Sequence, residues 1–229
     1  MVIFKYALLR GVRNPGSLVL NFLLPFSVMF VGPFWQGQNP FGFSLVGLLL
    51  MSGAFVAARG IINDRMEGTI IRVLAGPTTT FRYLAQNLLA CLVPMAAQIV
   101  IIVIIGGIRY DWTLGFVIWI GLCYTVFAVA SVALSFAWSC LFKQKETSYS
   151  VFSVVITLAA MLGGFMMPVQ FIPAFLRHIG ALFPPFWASR AITDILNYGS
   201  PTANYLLSLG ALLLFSAAYL LYGGKRKIL

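Results

Sequence analysis

Charged side chains are scarce in this sequence. Asp, Glu, Lys and Arg make up 9% of the 229 residues, against about 25% in typical soluble domains. Residues 14–58 contain no charged side chain at all. Hydrophobic residues make up 61% of the chain, and the mean hydropathy is +0.96. A soluble fold is therefore excluded, and the chain is expected to cross a membrane several times.

The groups that usually carry enzymatic chemistry are also few. The chain has five acidic residues and one His, with no paired carboxylates, no H-E-x-x-H and no nucleophile beside a base. Cys91, Cys123 and Cys140 lie in predicted spans at no metal-ligand spacing, so we expect them to be small packing residues. We therefore expect no catalytic site and no metal site. No Asp, Glu, Lys or Arg lies at a predicted midplane, which argues against proton- or ion-coupled transport.

The apolar runs predict an all-α membrane protein with six transmembrane helices in a single domain, residues 1–229. Strands of a membrane barrel alternate apolar and polar residues, whereas these runs are apolar on every side and favour helices. The predicted spans are roughly 16–35, 42–61, 82–107, 113–141, 149–167 and 203–222. The first is expected to be a retained span and no signal peptide, because its apolar run is too long.

The basic residues predict the orientation of the spans. With the N-terminus in the cytoplasm, 12 of the 15 Lys and Arg lie on the cytoplasmic side, as the positive-inside rule requires. Both termini are then cytoplasmic, and the protein is expected in the plasma membrane as a multi-pass protein. The net charge of +10 is accounted for by topology, so we expect no nucleic-acid partner.

Residues 1–14 predict an interfacial helix. Ile3, Phe4, Ala7, Leu8, Gly11 and Val12 share one helical face, and Lys5, Arg10 and Arg13 fall outside it. Such a helix can lie in the membrane surface with its basic face toward lipid headgroups. The alternative is a plain basic flank of the first span. Asn14-Pro15 is expected to end this helix and open the next.

Residues 63–77 contain a compact charged segment, "NDRMEGTIIRVLAGP". Asp64 and Glu67 have capping-box spacing, and Gly76-Pro77 is a stop signal, so one amphipathic helix from Asp64 is predicted. Its apolar side carries Met66, Ile70, Val73 and Leu74, and its other side carries Arg65, Gly68, Thr69 and Arg72. Such a helix either lies on lipid headgroups or docks into a groove of a cytosolic partner.

Two segments resemble ABC-2-type transporter permeases. After the second span, that family has an acidic-basic run, E-x-G-T, an apolar pair and a Pro, which Glu67, Gly68, Thr69, Leu74 and Pro77 match. Late in the chain, "GGFMMPVQFIPAFLRHIGALFPPFWASRAITDIL" is similar to the family's second signature, through Pro168, Pro173, Pro184 and Arg190. Phe183 and Pro185 depart from its commonest form, which has Asn before the Pro.

The resemblance implies a permease subunit that pairs with a second copy or a related permease and binds two cytosolic ABC ATPase subunits. Residues 63–77 become the coupling helix, and the ATPase-coupling residues are Asp64, Arg65, Met66, Glu67, Gly68, Thr69, Ile70, Arg72, Leu74 and Pro77. Residues 168–201 become extracytoplasmic re-entrant helices. This chain has no G-x-x-x-x-G-K-[ST], so ATP and Mg²⁺ are expected on the separate ATPase.

The substrate path is implied along the seam between the two permeases. Its candidate residues are apolar, and they favour a hydrophobic or amphipathic substrate such as a drug, natural product, lipid or modified peptide: Phe26, Phe30, Phe34, Phe152, Phe165, Met166 and Met167. Two alternatives remain open, an exporter of a lipid-linked polysaccharide and a non-energised channel or scaffold. Arg190 and Asp194, four residues apart, are expected to pair on one helix face.

Overall fold

The computed structural model describes residues 2–35, 41–74, 80–139, 141, 144–167 and 172–225. Within these ranges the chain is helical, with short turns and no strand, which confirms the all-α prediction. The bounds of the α-helices are α1 Val2–Arg13, α2 Pro15–Leu18, α3 Leu24–Met29, α4 Phe41–Met66, α5 Thr69–Leu74, α6 Thr80–Arg109, α7 Leu114–Ser139, α8 Lys145–Leu162, α9 Ala174–Gly180, α10 Pro184–Tyr198 and α11 Ala203–Lys225.

In the described part of the chain, three helices are long and apolar enough to cross a membrane: Ala85–Arg109, Leu114–Trp138 and Ala203–Gly223. Three shorter apolar helical stretches follow the order of the remaining predicted spans: Pro15–Met29, Phe41–Val56 within α4, and Glu146–Leu162. At 1.5 Å per residue, a helix needs about 20 residues to cross the hydrocarbon core. The number of complete spans therefore stays a prediction.

The first apolar helix is interrupted by a π-helical turn. α2 begins at Pro15, with the Asn14 side chain accepting a hydrogen bond from the Gly16 amide at 3.0 Å. Residues Val19–Leu23 are π-helical and connect α2 to α3. Asn21 lies in this turn, fully buried, and donates to the Ser17 carbonyl and hydroxyl at 3.0 and 3.1 Å. A π-turn of this kind commonly marks a functional site.

The predicted first span ends earlier than its hydrophobicity suggests. Residues 16–35 were expected to be one helix, but α3 ends at Met29 and a 3₁₀ turn follows at Gly32–Phe34. Val31, between the two, leaves the helical region at φ −84° and ψ 86°. Trp35 folds back, and its indole N–H donates to the Val28 carbonyl at 3.0 Å. The apolar residues past Met29 therefore pack over the end of the helix and do not extend it.

α7 is the central helix of the bundle, packed against α4, α6, α10 and α11. Tyr124, fully buried on α7, donates its hydroxyl to the Phe43 carbonyl of α4 at 2.8 Å. The hydroxyl of Tyr205 on α11 donates to the Trp119 carbonyl of α7 at 2.7 Å. Inside a membrane such interhelical hydrogen bonds contribute about 0.6–2 kcal/mol each. They matter for helix association there because lipid supplies no hydrophobic driving force between helices.

Residues 172–199 form two short helices that pack on the bundle. The end of α8 approaches them so closely that a Cβ at Gly163 would overlap Pro185 and the Phe186 backbone. A Cβ at Gly180 would likewise overlap the Leu162 carbonyl. α10 then packs on α7 and α11 and ends at Gly199, whose φ of +68° suits glycine. The depth of α9 and α10 in the membrane, predicted as re-entrant, stays a prediction.

Candidate functional site

The charged segment after the second apolar helix forms two helices joined by a turn. α4 runs through Asp64 to Met66, with the Glu67 amide donating to the Asn63 carbonyl at 2.9 Å. Glu67 and Gly68 form the turn, and α5 is the helix Thr69–Leu74. The prediction that Asp64 caps a helix reaching Glu67 and beyond is therefore wrong. Gly68, at φ +68°, takes the left-handed conformation that ends helices, and this break outweighs the capping-box spacing.

α5 presents part of the predicted coupling surface to solvent. Glu67 and Arg72 are exposed, whereas Thr69 and Val73 are half-buried. The remaining predicted coupling residues lie outside the described side chains or outside the described ranges: Arg65, Met66, Ile70, Leu74 and Pro77. The apolar and basic sides predicted for this helix thus stay a prediction. The half-buried Val73 and the exposed Arg72 agree with it.

Asp64 connects three elements beside α5. Its Oδ1 accepts a hydrogen bond from Arg10 Nη1 on α1 at 2.7 Å, which is also an ion pair. Its Oδ2 accepts from the Tyr83 hydroxyl on α6 at 2.7 Å. Asn87, one turn along α6, donates to the Tyr83 carbonyl at 3.0 Å. We call Arg10, Asp64 and Tyr83 the carboxylate tie.

The carboxylate tie is partly shielded from water. Tyr83 is 2% exposed, and the side chains of Arg10 and Asp64 are 43% and 17% exposed. Burial raises the pKa of the Tyr83 phenol well above its ordinary value, and the hydrogen bond to Asp64 raises it further. Tyr83 therefore remains a proton donor throughout the physiological pH range. The tie holds the N-terminal helix to the ends of α4 and α6 that flank α5.

A second polar contact fastens α1 to α6. The Phe4 amide donates to the Gln86 side-chain oxygen at 3.2 Å, and α1 packs along α6. The helical prediction for residues 1–14 is confirmed by α1, Val2–Arg13. Val12, placed on its apolar face, is 46% exposed, so that face is only partly covered by the protein. Its position in the membrane surface stays a prediction.

The predicted path residues do not form one surface in the described chain. Phe26 and Phe30 pack on each other with ring centroids 4.9 Å apart and are about half exposed. Phe152 is buried and stacked on Phe55 with ring centroids 3.8 Å apart. The buried Phe165 packs edge-on against Phe127.

The three other path residues lie at helix ends. Phe34, half-buried, packs edge-on against Phe41 beyond the end of α3. Met166 is half exposed and Met167 is half-buried, both beyond the end of α8. The role of all seven residues in a substrate path stays a prediction.

The late signature residues are placed individually by the structure. Pro168 lies outside the described residues, Pro173 immediately precedes α9, and Pro184 is the first residue of α10, where the ring costs no helical hydrogen bond. The predicted pairing of Arg190 with Asp194 is wrong. The two side chains take different partners on the following segment.

Arg190 and Asp194 each anchor α10 to the start of α11. Arg190 donates to the Asn204 side-chain oxygen at 2.9 Å and lies over the Trp187 ring. Asp194, only 6% exposed, accepts from the Thr202 hydroxyl at 2.7 Å. The i, i+4 spacing allows Arg190 and Asp194 to pair. Their actual partners, Asn204 and Thr202, lie at the start of α11 and just before it, and helical periodicity within α10 cannot reveal them.

Metal-ligating side chains do not cluster in the described part of the chain, where no group of three or more His, Cys, Asp or Glu could hold a metal ion. The polar groups that meet in the carboxylate tie, and between α10 and the start of α11, connect helices to one another. The described chain is thus a bundle of apolar helices, joined at one end by a charged tie beside the short helix α5.

Comparison with known proteins gives the family. Residues 17–224 match the model of the ABC-2 family transporter protein, ABC2_membrane_3, and the chain belongs to that family. It is also 26% identical over 168 residues to the Bacillus subtilis (strain 168) protein described as "Putative transport permease YvfS", covering 71% of this chain and 68% of that protein. Family membership makes the chain a membrane transporter permease and implies association with ABC ATPase partners.

Sequence reasoning missed the carboxylate tie as a unit. Arg10 was assigned to a basic face, Asp64 to a helix cap, and Tyr83 received no role. The three residues are 54 and 19 positions apart in sequence, so no local spacing connects them. One available signal was the rarity of acidic residues: each of five carboxylates in so apolar a chain needs a partner or water.

Proposed function

We propose that this chain is the membrane subunit of an ATP-driven exporter, coupled to its ATPase through α5. Two cytosolic ABC ATPases bind at the α5 end of the bundle, and two permeases, identical or related, form the transport path between them. ATP and Mg²⁺ bind to the ATPase subunits. Both termini lie in the cytoplasm, as the distribution of Lys and Arg indicates.

The observation that carries the proposal is the carboxylate tie beside α5. α5 lies between α4 and α6 in sequence, and the tie fastens the ends of these helices to α1 through one carboxylate. A push on α5 is therefore delivered to three helices at once. The exposed Arg72 and Glu67 supply charges that set the register of a docking partner, as rim charges do at protein interfaces.

A hydrophobic or amphipathic substrate is favoured by the exposed aromatic face of the first apolar helix. Phe26 and Phe30 are 50% and 48% exposed and in contact with each other. Arg109 lies 4.9 Å from the centroid of the Phe30 ring, so this face has a cation at one end. An apolar surface with one positive end suits a drug, lipid or modified peptide better than a bare sugar or ion.

The test begins with affinity purification of the chain from its native host and identification of the ABC ATPase that co-purifies, which is then co-expressed with it. The complex is purified, reconstituted in liposomes and assayed for ATP-dependent movement of hydrophobic dyes. Arg72→Glu is expected to weaken association with the ATPase and to reduce transport, because it inverts an exposed charge on α5. Arg13→Glu is the matched control, since Arg13 is exposed on α1 outside the docking element. Equal transport by both variants and wild type would contradict docking through α5.

A further inference from the structure

A polar cavity lies among α1, α2, α4 and α8. Its volume is about 330 Å³, within the range of small-ligand sites. Polar side chains alternate with small residues along its wall: Ala7, Arg10, Gly11, Asn14, Ser17, Val56, Arg59, Gly60, Asn63 and Tyr149. The cavities lined by the apolar faces of α2 and α6, by contrast, expose almost only hydrocarbon.

Arg59 is the unbalanced charge in this cavity. Its guanidinium lies 4.8 Å from the centroid of the Tyr149 ring and 5.4 Å from that of Phe55. Its Nε is buried and has no hydrogen-bond partner among the described residues. The nearby carboxylate of Asp64 is paired with Arg10, and no ion pair to Arg59 is found among the described residues. A half-buried cation with a buried N–H group that lacks a partner is costly, and the cavity therefore favours an anion.

Further donors surround Arg59. A Cβ at Gly60 would overlap the Arg10 guanidinium, so the absence of a side chain there lets Arg10 lie directly against α4 at Gly60, in the same cavity wall as Arg59. Asp64 engages Nη1 of Arg10 and leaves its other N–H groups as donors. Asn63 accepts from the Tyr149 hydroxyl through Oδ1 at 3.2 Å, which leaves its amide NH₂ group as a donor. Two guanidinium groups and an amide converge on one space.

The position of the cavity indicates the source of the anion. Asn14 and Ser17 lie where the first apolar helix begins, Arg59 and Asn63 near the charged end of α4, and Tyr149 in the first turns of α8. All three helices thus meet the cavity at a polar end, where lipid headgroups lie. Leu18 and Val19, directly after Ser17, are each 41% exposed, as expected of residues that face acyl chains.

We propose that this cavity binds the phosphate of an anionic phospholipid from the leaflet at the α5 end of the bundle. The phosphate accepts hydrogen bonds from Arg59 and Arg10, as arginine commonly provides. The lipid supplies the counter-charge that the described protein lacks around Arg59 and joins α1 to α4 and α8. This inference needs the chain to be a membrane protein but does not depend on the ATPase partner.

The experiment is native mass spectrometry of the purified full chain in detergent, titrated separately with dioleoyl phosphatidylglycerol and dioleoyl phosphatidylcholine. Both lipids carry the phosphate, but the choline cation of phosphatidylcholine is repelled by Arg59 and Arg10. Wild type is therefore expected to bind one phosphatidylglycerol at least about tenfold more tightly than phosphatidylcholine. Arg59→Gln and Gly60→Ala, which displaces Arg10, are each expected to lose that preference. No preference in wild type would overturn the proposal without any variant.

Matched controls separate the cavity from general surface charge. Arg13→Gln removes the same charge from an exposed position on α1, and Gly11→Ala adds a Cβ that meets nothing within 4 Å in the cavity wall. Both are expected to bind phosphatidylglycerol as wild type does. Equal losses in Arg13→Gln and Arg59→Gln would instead show surface attraction and overturn the site.

Two further arms protect the result. Arg59→Lys keeps the charge but not the guanidinium, and it is expected to bind phosphatidylglycerol more tightly than Arg59→Gln but less tightly than wild type. Its comparison with wild type keeps the test usable where Arg59→Gln folds poorly. Inorganic phosphate, added in millimolar excess, is expected not to displace the lipid. Displacement by phosphate, with no retained phosphatidylglycerol, would assign the cavity to a soluble anion and overturn the lipid assignment.

Discussion

Asp64→Asn is the most informative perturbation of the carboxylate tie. It keeps the size of the side chain and removes its charge, so packing around Arg10 and Tyr83 is preserved. The amide oxygen can still accept from one of the two donors, which lie 2.7 Å from separate oxygens of Asp64. The amide NH₂ then faces whichever donor stood at the other oxygen.

The expected magnitude comes from the two contacts separately. The ion pair with Arg10 is 43% exposed on the arginine side, so it contributes only about 0.2–1 kcal/mol after solvent screening. Tyr83 is buried, and its hydrogen bond to a charged acceptor contributes about 1.5–3 kcal/mol, of which about half is kept by a neutral acceptor. The loss is therefore about 1–2.5 kcal/mol, or about 2–10 °C in melting temperature for a chain of this size.

The assay is the apparent melting temperature of the purified chain in detergent, followed by ATP-dependent transport in the reconstituted complex. Asp111→Asn is the matched control, because Asp111 is an exposed carboxylate at φ +51°, a conformation that Asn tolerates. Asp64→Asn is expected to lower both the melting temperature and transport, and Asp111→Asn neither. A melting temperature unchanged within 1 °C in Asp64→Asn would refute the structural role of the tie.

Two further predictions concern helix contacts elsewhere in the bundle. Gly53→Ala is expected to lower the melting temperature, because the added Cβ would overlap Asn21 in the π-helical turn. Gly210→Ala is the control: its Cβ meets nothing within 4 Å, so the melting temperature should stay equal or rise. Equal losses in both variants would contradict the close approach of Gly53 and Asn21. In a double-mutant cycle, Asp194→Asn and Thr202→Val are expected to be coupled by at least about 0.5 kcal/mol, because the Thr202 hydroxyl donates directly to Asp194. Additive effects would contradict Thr202 as the partner of Asp194.

The order and type of the helices follow from the sequence. Long apolar runs leave a helix as the simplest way to satisfy the backbone in lipid, and the predicted spans 82–107, 113–141 and 203–222 agree with α6, α7 and α11 to within a few residues. Helix ends were harder to place. Hydrophobicity continues past Met29, but the chain leaves the helix because Val31 takes a non-helical conformation.

Polar contacts between distant elements could not be predicted. The capping-box spacing of Asp64 and Glu67 predicts that Asp64 caps a new helix. In the structure α4 continues almost to the left-handed Gly68, so Asp64 lies inside α4 and has partners on α1 and α6. Asp194 likewise was predicted to pair with Arg190 on its own helix, but it accepts a hydrogen bond from Thr202 instead. In both cases the partner of the carboxylate is set by the tertiary fold. Burial makes an unpaired charge costly, and the nearest suitable donor lies on another segment of the chain.

Direct contact between α5 and the ATPase is the measurement that decides the proposed coupling. Arg72 is replaced by the photo-crosslinker benzoyl-phenylalanine in the assembled complex, and the same replacement at Leu182, 66% exposed between α9 and α10, serves as control. Irradiation is expected to join the permease to the ATPase from position 72 and not from position 182. Cross-links to the ATPase from position 182 alone, or from neither position in an intact complex, would contradict coupling through α5.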